Sequence, residues 1–217
     1  MNLQSRCVLG TVLAVAIALG DASAGDLSVV VTDAQNMPVA NAVVSVRGGP
    51  GTGAAAYAPV TKTIDQRHET FIPYVEVFRP GDRVAFHNGD HTRHHVYSFA
   101  PIKTFDFVVA SKRTSPPVTL DQPGEIDVGC NIHDRMITHL YVSDAPYLAK
   151  SAADGRVSFA ALGEGSYMVQ VWHPHLRPGK SEPSRPVLVN ATPASVTIQL
   201  SLLADPRAAT GDAERTP

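Results

Sequence analysis

Apolar side chains recur at every second position over short runs, and past the N-terminal segment they never settle into a helical period. LSVVV (27–31), AVVSV (42–46), VEVF (75–78), RVAFH (83–87), HHVYSF (94–99), EIDV (125–128), HLYV (139–142), RVSFA (156–160), SYMVQVW (166–172) and SVTIQL (195–200) are short and rich in β-branched and aromatic residues. Each predicts a strand. Between them stand turn formers: Asn36-Met37-Pro38, Pro80-Gly81-Asp82, Pro123-Gly124, Asp154-Gly155 and Gly163-Glu164-Gly165. Short strands punctuated in this way predict an all-β chain built as Greek-key sandwiches or barrels.

The one long apolar run stands apart from that pattern. Arg6 precedes CVLGTVLAVAIAL, and Ala22-Ser23-Ala24 follows it. This is the layout of a secretory signal peptide over residues 1–24, and the run is too short for a membrane span. The expectation is export to the periplasm as a soluble protein. Cys7 leaves with the signal, and Cys130 is then the only cysteine in the chain. A lone thiol in an oxidising compartment has to be buried, paired between chains or bound to something. The net charge of −2 gives no reason to expect a nucleic-acid partner, and the chain is expected to be a monomer.

Two segments lack strand signals. GGPGTGAAAYAP (48–59) is Gly-rich and reads as a linker or boundary, and the end from Ala204 has no apolar period and is expected to lack structure. The strand-turn-strand pieces VVVTDAQNMPVANAVVSV (29–46) and SAADGRVSFAALGEGSYMVQV (151–171) resemble the opening and continuation of a carboxypeptidase regulatory-like, or transthyretin-like, β-sandwich. That resemblance implies an interrupted organisation. Residues 25–59 and 145–203 would form one sandwich, residues 60–144 would be a second domain inserted into it, and 204–217 would be a tail. In the other organisation, LSVVV and AVVSV are the first strands of the second domain.

The chemistry concentrates in GCNIHDRM (129–136). Cys130, His133 and Met136 follow one another at three-residue intervals between two predicted strands, so a short pinned loop can aim all three at one point. Thiolate, imidazole and thioether are the soft and borderline ligands that select copper. A second imidazole is needed, and HNGDHTRHHVYSF (87–99) offers His87, His91, His94 and His95. His94 and His95 are successive strand residues facing opposite ways, so only one of them can reach the loop.

The loop after a Gly-Glu-Ile-Asp-Val strand is similar to the copper loop of amicyanin, a blue copper protein of the plastocyanin type. VAFHNGDHTRHHV (84–96) looks like the upstream strand, Asn, turn and His-x-Val segment of that cupredoxin family. The resemblance implies a cupredoxin-like fold over about residues 60–144. It also implies one type 1 copper ion held by His94, Cys130, His133 and the axial Met136, with electron transfer as the function and His133 nearest the surface. The whole chain also resembles exported proteins labelled methylamine utilization proteins. It departs from the family pattern in three places: Arg93 stands where Pro is usual, His95 where Asn braces the loop beside the cysteine, and Thr138 where Gly is usual.

Other chemistries fit less well. Structural zinc wants four strong ligands, and a thioether is a poor one. A dinuclear thiolate-bridged copper site needs a second cysteine, and covalent haem needs Cys-x-x-Cys-His. Cysteine hydrolysis lacks an orienting group and an oxyanion segment. The expectation is therefore an electron carrier with redox-protein partners and no enzymatic activity. A copper-delivery protein, for which the nine histidines speak, and a metal-free structural module are the alternatives. His173 and His175 read as solvated residues at a strand end, or as a second metal site with His139 or His68. Asp90 and Asp134 are read as solvated turn residues without a role.

Overall fold

A computed structural model describes residues 24–50 and 57–207. Of the expected signal segment only Ala24 falls among them, where it opens the first strand. The described chain is all-β, as the alternation implies, and sixteen strands make four sheets. Among the described residues no helix is long and apolar enough to cross a membrane.

Strands β1 (Ala24–Asp33) and β2 (Val43–Gly48) are separated in sequence from the strands they pair with. β1 pairs with β13 (Arg156–Gly163) and β16 (Ala194–Leu200). β2 pairs with β12 (Tyr147–Lys150) and β14 (Gly165–Trp172), and β15 (Ser184–Val189) borders β14. The inward residues of these two sheets, Leu27, Val29 and Val31 against Val44, Val46, Tyr167, Val169 and Val171, are buried in one apolar core.

The described strands between β2 and β12 form a second pair of sheets. One has the order β5-β11-β10-β7-β8 and the other β4-β3-β6-β9. The first holds β5 (Val75–Phe78), β11 (Ile137–Val142), β10 (Gly124–Cys130), β7 (His94–Ala100) and β8 (Lys103–Val109). The second holds β4 (Thr70–Ile72), β3 (Thr61–Arg67), β6 (Asp82–Asn88) and β9 (Val118–Leu120). Phe71, Phe86, Val96, Val128 and Leu140 fill the space between them, and Cys130 and Met136 belong to the same cluster.

The two bodies meet across Val43, Val75 and Trp172, with Tyr74, Val77, Tyr141 and Leu148 packed round them. This contact explains why β2 carries buried apolar residues on both faces: Val44 and Val46 face one core, and Val43 faces the junction. Trp172 Nε1 donates to Glu125 Oε2 at 2.7 Å, and Lys62 and Lys150 flank Glu76 at 2.9 and 3.4 Å.

Every strand signalled by the sequence is present. β3, β4, β8, β9, β12 and β15 carry weaker signals and appear only in the structure. The Gly-rich stretch opens with Gly48 at the end of β2, and 51–56 lie outside the described residues. Of the segment from Ala204, residues as far as Arg207 are described, and they carry no strand or helix. The Arg207 guanidinium lies 3.3 Å from the centre of the Tyr74 ring and pairs with Asp205, while Leu203 N donates to His175 O at 2.8 Å. Residues 208–217 lie outside the described residues.

Candidate metal centre

The loop between β10 and β11 is two turns laid end to end. Cys130 O accepts from His133 N at 3.4 Å, and His133 O accepts from Met136 N at 3.0 Å. An i to i+3 closure is the mark of a β-turn, so the three-residue spacing in the sequence is the spacing of the turns themselves. Cys130 N then donates to Met136 O at 3.1 Å, which closes the loop on itself, and Asn131 N donates to His95 O at 3.0 Å, which ties it to β7. Gly129 opposes Tyr97, and a Cβ there would come within 2.9 Å of the far end of the Tyr97 ring, so a larger residue before Cys130 would displace that side chain.

Register decides which upstream histidine faces the loop. Cys130 pairs with Val96 on β7, and opposed residues share a face of the sheet. His94, two residues from Val96, shares that face and is fully buried. His95 points the other way, to Asp106 and Asn131. His87 bonds Thr114 Oγ1 at 3.0 Å, away from the loop.

Three ligand-type atoms converge. Cys130 Sγ lies 3.7 Å from His94 Nδ1 and 3.7 Å from His133 Nδ1, and all three lie within 4.8 Å of one another. The thiol is free and buried. Met136 is 2% exposed and packs in the same apolar cluster as Cys130.

These residues fit a metal ion. A nitrogen and a sulphur sharing a first-row ion at bonds of about 2.0 and 2.3 Å stand roughly 3.5–3.8 Å apart at trigonal or tetrahedral angles. One sulphur and two imidazole nitrogens, with no carboxylate among them and a thioether buried nearby, match copper better than the hard cations.

The histidines are oriented by carboxylates that the sequence did not single out. His94 Nε2 is 2.9 Å from Asp90 Oδ2, which leaves Nδ1 to face Cys130. Asp90 in turn accepts from His68 N at 2.7 Å and Glu69 N at 3.1 Å. Partial burial works to raise the Asp90 carboxyl, but these backbone hydrogen bonds and the His94 contact outweigh it and hold it below the usual carboxylate range. The reading of Asp90 as a solvated turn residue is thus corrected. His133 Nε2 lies 3.4 Å from Glu69 Oε1, so the β3–β4 turn reaches both imidazoles. Thr138, in the place of the usual Gly, donates its hydroxyl to Pro73 O at 2.9 Å and fastens the loop's exit beside β5.

The other histidines form a separate network. His139 Nδ1 meets Asp127 at 2.6 Å, and its Nε2 lies 3.1 Å from the Tyr74 hydroxyl, which also contacts His175 Nε2 at 2.9 Å. His173 and His175 are mostly enclosed at the body junction, contrary to the solvated reading. Desolvation, with the neighbouring His175, pushes the His173 imidazole down to about 4. His68 is not part of this network, since it sits in the β3–β4 turn beside Asp90. Among the described residues, the set of three or more Cys, His or carboxylate groups close enough to share an ion is His94, Cys130 and His133.

No family model and no curated protein matches the chain. Solved structures similar to part of it include a Cu(I) amicyanin variant, 15% identical, covering 46% of this chain and 98% of that one with a TM-score of 0.35. A second, reduced amicyanin variant is 17% identical with the same coverages and a TM-score of 0.36. The copper-containing nitrite reductase of Thermus scotoductus SA-01 is 23% identical over 45% of this chain and 25% of its own, with a TM-score of 0.36.

Proposed function

We propose that this chain is an exported, periplasmic type 1 copper protein that carries single electrons between redox proteins, with His94, Cys130, His133 and Met136 as ligands. One observation carries the reading: a buried thiol and two imidazole nitrogens converge at 3.7 Å on a loop closed by its own backbone. Copper, when bound, supplies a reversible one-electron couple.

The protein's own part is to hold the ligands still while charge changes. Cys130 and Met136 are locked in the apolar core, His94 is clamped by Asp90, and the loop is tied to β7 and β5. A frame that does not move between two charge states keeps reorganisation small. His133 differs from the other ligands in exposure, with 22% of its side chain open to solvent beside the exposed Ile132. Its imidazole edge is therefore the place where a partner can approach the site, and the periplasmic location rests on the N-terminal segment of the sequence.

Voltammetry of the copper-loaded protein tests the carrier role. The expected result is a single reversible one-electron wave whose peak separation does not widen with scan rate. Irreversible reduction with release of the metal would favour copper delivery instead.

A further inference from the structure

At the loop end of the core, a polar layer caps the apolar one. Gln66 pairs in register with Asn88, whose side chain donates to Val109 O at 3.0 Å, and Val109 pairs with His94. His94 then meets Cys130. Just past Gln66, the His68 and Glu69 amides hold Asp90, and Glu69 reaches His133.

Gln66 is fully buried, and neither Nε2 nor Oε1 has a hydrogen-bond partner among the described residues. Burying an amide without partners costs desolvation free energy that nothing returns. The other polar groups of the layer are committed. Asn88 bonds Thr92 O, Val109 O and Asp90 N, Thr138 bonds Pro73 O, and His94 divides its nitrogens between Asp90 and Cys130. Ile64, two residues before Gln66 and so on the same face of β3, packs in the cluster that holds Cys130 and Met136, so Gln66 faces the core in which a metal-bound Cys130 thiolate would be a strong acceptor.

We propose that Gln66 is a positioning residue of the metal centre, its Nε2–H serving as hydrogen-bond donor to the Cys130 thiolate in the copper-loaded protein. This rests on the copper reading above. It gives the thiolate a side-chain donor from β3, while His95, next to the ligand His94, is turned outward to Asp106 and Asn131. Hydrogen bonds to a sulphur ligand lower its donor strength and so tune the metal.

The test compares the parent, Gln66→Leu and Gln66→Asn, each with and without copper. Without metal, Gln66→Leu should melt above the parent, because an unpaired buried amide has been removed. With copper, its thiolate-to-copper band should move to longer wavelength and its reduction potential should fall. Gln66→Asn, with the carboxamide one methylene further back, should lie between the two. A parent without the band overturns this proposal and the copper reading together. A parent with the band and both variants identical to it overturns the Gln66 proposal alone. So does a metal-free Gln66→Leu that melts below the parent.

Discussion

Asp90 Oδ2 stands 2.9 Å from His94 Nε2, and the same imidazole presents Nδ1 at 3.7 Å from Cys130 Sγ. The carboxylate therefore fixes both the ring orientation and the nitrogen offered to a metal. Removing such a partner typically costs about 10–100-fold in metal affinity. Asp90→Ala should weaken copper binding on that order, and Asp90→Asn, which keeps one acceptor for the β3–β4 turn, should lose less. Competition with a chelator of known affinity measures both.

The two adjacent histidines should behave oppositely. His94→Ala removes a buried ligand and should abolish the visible copper band. His95→Ala removes an outward side chain whose partners are Asp106 and Asn131, so the band should persist. Its stability should stay within about 0.5 kcal/mol of the parent, the usual range for surface substitutions. Spectra and urea titrations of the two variants decide the matter.

His173 gives the junction a pH dependence. Its folded value of about 4 is depressed, so between that value and the ordinary 6.5 the unfolded chain binds the proton more readily. The stability contribution is fully present above the unfolded value and is lost as pH falls through the window towards 4. At roughly 1.4 kcal/mol per pKa unit the loss is on the order of 3 kcal/mol. His175, also depressed by burial, adds in the same direction. Urea unfolding at a series of pH values should show this slope in the parent and a reduced slope in His173→Gln.

Trp172 is 5% exposed at the centre of the junction. Trp172→Ala should cost about 3–5 kcal/mol, the usual loss for a large buried aromatic. Trp172→Phe keeps most of the packing and gives up the bond to Glu125, for about 1 kcal/mol. Chemical denaturation of the two variants separates packing from hydrogen bonding.

What the sequence made legible was local. Cys130, His133 and Met136 could be read because two consecutive turns impose their spacing on the chain, whereas strand alternation allowed only one of His94 and His95, and the family resemblance pointed to His94. Asp90 was read as a solvated turn residue because its role depends on a turn twenty-two residues upstream folding onto it, which no local pattern encodes. β15 was hidden by Pro186, tolerated because β15 is an edge strand of its sheet. β3 was hidden because its inward residues are Ile64 and Gln66, an alternation that a polar core residue breaks. That same polar residue is the one now assigned to the metal centre.

The most direct test of the metal centre is the visible absorption spectrum of the copper-loaded protein beside Cys130→Ser. The parent should show an intense thiolate-to-copper band at one copper per chain, and the variant should lack it. A parent without the band, or a variant that retains it, would contradict the assignment of Cys130 and the site built around it.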